Sequence, residues 1–275
     1  METFEPAYIK TFEKGLLRKK IKAAHNLLSP CNLCPRRCKV DRLSGETGVC
    51  KTTKRAWVSS YSPHFGEEAP LVGKHGSGTI FFTHCNLMCL FCQNFDISHE
   101  SCGQKVSNEE LSAIMLALQH QGCHNINFVT PSHVVPQILA ALEIAIPQGL
   151  NVPLVYNSGG YDRPATLKLL EGVFDIHMPA STFCGREIAE NACQATDYAD
   201  ADVCGAVGDC LALAGDDGGC CTNAADAVND STASPTCFSE TSRASSSLPA
   251  SMRTSPRTQP ASARAPLPAS SARSS

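Results

Sequence analysis

Along the chain, two hydrophobic spacings alternate. Ile9, Phe12, Leu16, Ile21, Ala24 and Leu28 recur at roughly helical intervals with Lys and Arg between them, so an amphipathic helix over 8–28 is predicted. Its basic face reads as a solvated surface. The apolar run Thr79-Ile80-Phe81-Phe82-Thr83 predicts a buried strand. Ser107-Asn108-Glu109-Glu110 is a capping box. Behind it Leu111, Ile114, Met115 and Leu118 share one helical face, and Gly122 stands where a helix should stop. Strands over 125–130, 152–156 and 173–178 then alternate with a helix over 134–146 and a shorter one opened by Asp162 and Pro164 and stopped at Gly172. Strand and helix in turn, joined by a few residues, predict a parallel α/β sheet. In parallel α/β barrels the chemistry sits at the C-terminal strand ends, and the unusual residues of this chain fall at such ends: 85–92, Thr130-Pro131-Ser132-His133 and Asn157-Ser158-Gly159-Gly160. His133 by itself reads equally as a helix-start residue with a structural hydrogen bond and as a catalytic one.

Past about residue 198 the periodicity ends. Residues to 237 are rich in Ala, Asp, Gly and Cys, and from Ser239 onward the chain is mostly Ser, Ala, Pro, Arg and Thr. Such a stretch buries too little apolar surface to offset the entropy of ordering, so disorder is predicted over 199–275. A spliced or frame-shifted end of a GC-rich coding sequence explains the abrupt change more simply than an Arg/Ser tail made for nucleic acid. The expected organisation is therefore a helix within 1–30, a cysteine-rich segment at 31–62, an α/β body at 63–198 and the tail.

Composition narrows the function. At 275 residues and 43% hydrophobic, the chain can hold one sizeable domain plus an appendage. A net charge of −3 supplies no basic field for nucleic acid or a membrane surface. No run is long and apolar enough to span a bilayer, and Glu2, Glu5, Lys10 and Lys14 do not have the layout of a secretory signal. Many of the sixteen cysteines fall in tight sets, which in a reducing compartment read as metal sites. A cytoplasmic, metal-bearing protein is expected.

Two sets carry the chemistry. Cys85, Cys89 and Cys92 have C-x3-C-x2-C spacing directly after the first parallel strand. Three thiols on one loop can hold three irons of a cubane cluster, whose usual complement is four thiolates, and leave the fourth iron to a small molecule. A zinc loop or buried core thiols are the plainer alternatives. Cys31, Cys34, Cys38 and Cys50 lie in a turn-rich segment and can close a metal shell by themselves; zinc and a second iron–sulfur cluster both suit them.

The thiol loop, with Phe91 before its last cysteine, resembles the signature of the radical S-adenosylmethionine (SAM) enzymes. From about 31 to 198 the chain resembles their pyruvate formate-lyase activating enzyme-like members, in the branch of predicted activating enzymes. The matching text is Cys31-Asn32-Leu33-Cys34-Pro35-Arg36-Arg37-Cys38, Pro63-His64-Phe65-Gly66-Glu67-Glu68, 76–82, 85–94, 124–131 and 156–162. The resemblance implies a partial (β/α) barrel with a [4Fe-4S] cluster on Cys85, Cys89 and Cys92, and Phe91 bordering the adenine of SAM. Thr130, Asn157 and Ser158 would help hold SAM. It also implies a flavodoxin- or ferredoxin-like electron donor and a protein or small-molecule substrate, a glycyl-radical enzyme by the family's name. Two departures stand out. The family's Asp-Phe-Lys after the fourth strand is replaced by Ala180-Ser181-Thr182, and nothing after 198 reads as the last two strands of such a barrel. A non-catalytic, metal-binding relative is the rival expectation; a zinc-ribbon module for nucleic acid lacks the basic and aromatic surface it would need.

Overall fold

The computed structural model describes residues 4–180 and 186–198. Ser181, Thr182 and the tail over 199–275 lie outside the described residues. The N-terminal region forms two helices, α1 (Ala7–Glu13) and α2 (Leu16–Asn26). The single helix expected over 8–28 breaks because Gly15 between them adopts φ 66°, a left-handed conformation open to glycine at little cost. Three bonds from α1 fix it to the sheet side of the molecule: Tyr8 Oη donates to Val152 O at 2.9 Å, Thr11 Oγ1 to Gly172 O at 2.5 Å, and Ala7 N to the Asp175 carboxylate at 2.9 Å.

After the cysteine-rich segment come β1 (Ala56–His64), α3 (Ala69–Val72), β2 (Ser77–Phe82), α4 (Phe95–His99), β3 (Gln104–Val106) and α5 (Asn108–His120). They lead into β4 (Ile126–Val129), α6 (Val135–Ala145), β5 (Leu154–Ser158), α7 (Pro164–Leu170), β6 (Ile176–Pro179) and α8 (Arg186–Cys193). The six strands form one sheet in the order β3-β1-β2-β4-β5-β6. The fold is thus mixed α/β, and the all-parallel expectation holds only for β2, β4, β5 and β6. On the other side β1 runs antiparallel to both β2 and β3. The alternation of β1 is interrupted by a register shift between Val58 and Ser60, and Pro63 lies within it, which is why it does not read as a strand.

The capping box is present as read: Glu110 N donates to Ser107 Oγ at 3.2 Å and Ser107 N to Glu110 Oε2 at 2.7 Å. Helix α5 packs on α6, and α2 packs on α6 from the other side. Enclosed by both, α6 buries almost its whole surface, as its near-continuous apolar sequence requires. Ile80, Phe128 and Tyr156 are register partners across β2, β4 and β5 and are fully buried. The next row toward the C-terminal ends, Phe81, Val129, Asn157 and Met178, is half-buried and shares the opposite face. Of that row, Phe81 lies on β2, the strand that leads into the thiol loop.

The cysteine-rich segment is tied to the sheet by Arg42, which is 1% exposed. Its guanidinium donates to Thr53 O at 2.8 and 3.2 Å and to His133 O at 3.0 Å. Removing it strands two carbonyls, at a cost of about 1–3 kcal/mol for each one that stays buried. We expect Arg42→Met to lower the urea midpoint accordingly, whereas Arg18→Met, which breaks an exposed ion pair to Glu143 at 2.6 Å, should change stability by no more than about 1 kcal/mol. Equal effects of the two variants would contradict this anchoring role.

Candidate functional site

The end of β2 turns sharply into the thiol loop. Thr83 N donates to Trp57 O at 2.9 Å and His84 N to Ile97 O at 2.8 Å, with His84 at φ 72°. The buried His84 ring lies between Thr52 Oγ1 at 3.2 Å and Ser101 Oγ at 2.9 Å, so the turn is held from both sides. Met88 takes a second left-handed φ of 56° inside the loop. Asn86 Nδ2 donates to Tyr161 O at 2.7 Å, and Leu90 N to Ala192 O at 2.9 Å. Leu87 inserts into a small core with Tyr161, Ala189, Cys193, Ala195 and Tyr198, against which Cys85 and Cys89 also pack. Sequence analysis assigns no role to Cys193 or Tyr198, because a lone cysteine and a lone tyrosine carry no specific signal.

Cys85, Cys89 and Cys92 are half-buried free thiols. Burial pushes the Cys89 thiol up to about 12, and the neighbouring Cys85, Cys193 and Cys92 sulfurs add to the rise. Burial also raises Cys85, with Cys92 and Cys50 contributing and the Met88 and Leu87 amides opposing. The sulfurs are therefore close enough to repel one another when ionised, which is the electrostatic condition a bound cation relieves. Among the described residues, no three His, Cys, Asp or Glu side chains are drawn into a metal-coordinating arrangement. The donor type, three thiols on one loop, is the one that suits an iron–sulfur group.

The second set is more deeply buried. Cys31, Cys34 and Cys50 are buried and Cys38 is half-buried. The chain folds back on itself through Cys31 N to Val40 O at 2.8 Å and Lys39 N to Cys31 O at 2.9 Å. A side chain at Gly48 would lie 2.5 Å from Cys38 Sγ, so only glycine permits that approach. Burial pushes the Cys34 thiol up to about 12, and Cys50, Cys31 and Cys38 add to the shift. Burial raises Cys50 as well, while the Arg42 guanidinium beside it opposes the rise. The set retains both of its candidate occupants, zinc and iron–sulfur.

At the neighbouring strand ends, Thr130 N donates to Asn157 O at 2.9 Å, which brings those two residues together. Thr130 has φ 60°, a strained conformation for a β-branched residue. Ser158 is buried; its Oγ accepts from Gly160 N at 3.2 Å and its carbonyl from Ala180 N at 2.8 Å. Phe91 is 60% exposed on the loop. His133 is fully buried, and its Nε2 is 3.1 Å from Thr83 O, so the ring donates there and braces the end of β2. Its role is structural. An open groove lined by Arg18, Lys22, His25 and Glu143 lies between α2 and α6 and contains none of these groups.

No family model matches this chain, and no solved structure matches it. An uncharacterized protein of Methanocaldococcus jannaschii is 33% identical over 195 residues, which are 68% of this chain and 55% of that protein. The chain thus spans about half the length of the curated relative it matches. No helix among the described residues is long and apolar enough to cross a membrane.

His133 makes acid sensitivity testable. Burial, with Arg42 adding, lowers it from 6.5 to about 3, so the unfolded chain takes up the proton first as pH falls. Its contribution to stability is complete above 6.5 and is lost as pH falls toward about 3, at up to about 1.4 kcal/mol per pH unit. Urea midpoints measured from pH 7 to pH 4 should fall less steeply for His133→Gln than for the parent. Parallel curves would remove His133 from the acid response.

Proposed function

We propose that this chain is a radical SAM protein whose loop thiols Cys85, Cys89 and Cys92 hold a [4Fe-4S] cluster. The observation that carries the reading is the arrangement of the thiol loop at the end of β2 beside Thr130, Asn157 and Ser158 at the ends of β4 and β5. When bound, such a cluster supplies the electron that cleaves SAM to a 5′-deoxyadenosyl radical.

The chain's own residues have definable tasks. Cys85, Cys89 and Cys92 give up their protons on loading, which favours uptake as pH rises, since burial holds Cys85 and Cys89 protonated. The Thr130 hydroxyl and the Asn157 amide offer hydrogen bonds to SAM. Ser158 shapes the turn through its bond to Gly160 N, and Phe91, on the thiol loop, would border the adenine. The half-buried row Phe81, Val129 and Met178 lines the adjoining sheet face and limits water there. The four parallel strands suit the first part of a (β/α) barrel. Exposed Leu90 and Phe91, on the same loop, suit contact with a flavodoxin- or ferredoxin-like donor or a protein substrate such as a glycyl-radical enzyme. Cys31, Cys34, Cys38 and Cys50 would carry a separate zinc or iron–sulfur group, in a cytoplasmic protein.

One observation favours a second reading, a relative that binds its metals without turnover. Ala180, at the end of β6, is where the family resemblance leads one to expect an acid, and it brings no charge. Losing one charged hydrogen bond in a buried site costs about 1.5–3 kcal/mol, roughly ten- to a hundred-fold in SAM affinity.

Anaerobic iron–sulfide reconstitution separates these possibilities. The loop should take up about four irons, Cys89→Ala should lose most of them, and a Cys85/Cys89/Cys92 triple-Ala variant should retain metal at the four-cysteine segment. Full iron retention by Cys89→Ala would sink the cluster assignment. With the cluster loaded and reduced, release of 5′-deoxyadenosine supports the enzyme, and SAM binding without release supports the non-catalytic relative.

A further inference from the structure

Arg36 lies in the four-cysteine segment between Cys34 and Cys38, yet its guanidinium ends in the thiol loop. Its Nε donates to Asn86 O at 2.9 Å, and one terminal nitrogen donates to Leu87 O at 3.1 Å and to Cys193 O at 2.6 Å. The other terminal nitrogen donates to Gln194 O. The group also lies over the Tyr161 ring, 5.3 Å from its centre. Four backbone carbonyls thus share one side chain. Two belong to the residues between Cys85 and Cys89, and two to the C-terminal end of α8, where helix carbonyls lack intrahelical partners and favour a cation. A lysine cannot reproduce this, because its point charge lacks the planar fork.

We propose that Arg36 is a positioning residue through which the four-cysteine segment holds the thiol loop against α8, so that closing the first thiol set orders the second. Cys34 and Cys38 flank Arg36, and the bonds from Arg37 N to Cys34 O at 3.1 Å and from Lys39 N to Cys31 O at 2.9 Å fold this stretch, with its thiols, back onto Cys31. If those thiols are not drawn together, the fork loses the support that aims it. The assignment of a cluster to the loop rests on the function proposed above; the fork itself does not need the cluster.

Amide hydrogen exchange on the full chain, with metal at the four-cysteine segment and no iron added, reads the fork directly. In Arg36→Ala, exchange over residues 86–92 should accelerate by about tenfold or more, while α5 and α6 stay protected. Arg37→Ala, at the exposed neighbouring residue, should leave the loop unchanged. Ethylguanidinium added to Arg36→Ala should slow exchange again, a rescue that a general loss of folding would not show. Should Arg36→Ala fail to fold, Arg36→Lys serves in its place and should also exchange faster than the parent. Cys38→Ser should accelerate the same residues, and the Arg36→Ala/Cys38→Ser double variant should add little, because both changes act through one link.

Parental exchange in folded Arg36→Ala or Arg36→Lys, absence of rescue, or fully additive effects in the double variant would each overturn the proposal. Accelerated exchange in a chain that takes up no iron on Cys85, Cys89 and Cys92 would keep the fork and discard the cluster. Normal iron uptake with a loop indifferent to Arg36 would do the reverse.

Discussion

Parallel pairing of β2 with β4, and of β4 with β5, forces the C-terminal ends of these strands to one edge of the sheet. The site at the strand ends depends on that constraint. The thiol loop follows β2, strained Thr130 follows β4, and Asn157 and Ser158 close β5. Residues separated by tens of positions in sequence thereby become neighbours, as the bond from Thr130 N to Asn157 O at 2.9 Å shows. The helices serve the same end. With α6 enclosed between α2 and α5, the covered face of the sheet carries the apolar core, and the opposite face keeps a half-buried row.

Two members of each thiol set are held against ionisation, Cys34 and Cys50 in one and Cys85 and Cys89 in the other. Burial favours the neutral thiol, and adjacent sulfurs raise one another further. In water such an arrangement would be indifferent; in a partly desolvated loop it becomes a demand for a compensating cation. The chain meets part of that demand with arginines that pair with carbonyls. Arg42 lies beside Cys50 and joins the cysteine-rich segment to the turn after β4, while Arg36 crosses from the same segment to the thiol loop. Neither forms an ion pair among the described residues. Their charge remains available to offset a thiolate nearby, as Arg42 does for Cys50.

Much of the architecture was legible in the chain. The capping box at Ser107 and the order β4, α6, β5, α7, β6 follow from local chemistry and period, because each element satisfies its own signal. The strand β1 did not, since a register shift breaks its alternation and leaves only Ala56 and Val58 buried. The three residues of β3 are too few to show a period. A single glycine within a helical pattern is tolerated, so Gly15 does not announce its left-handed φ of 66°. At the site, C-x3-C-x2-C spacing singled out the loop thiols. Arg36 was present in the quoted Cys-Pro-Arg-Arg-Cys text without a role, because a side chain that binds backbone carbonyls fifty and more residues away leaves no trace in sequence spacing. His133 showed the opposite limit. Its residue type suggested chemistry, and only its burial and its bond to Thr83 O revealed a brace.

The central claim is that three loop thiolates leave one iron of a cubane cluster open to SAM. Mössbauer spectroscopy of the 57Fe-loaded full chain, with the four-cysteine segment blocked by zinc, measures that directly. Adding SAM should shift the signal of about one quarter of the iron and leave the remaining three sites unchanged. A spectrum insensitive to SAM, or one already showing four equivalent thiolate-bound irons, would contradict it.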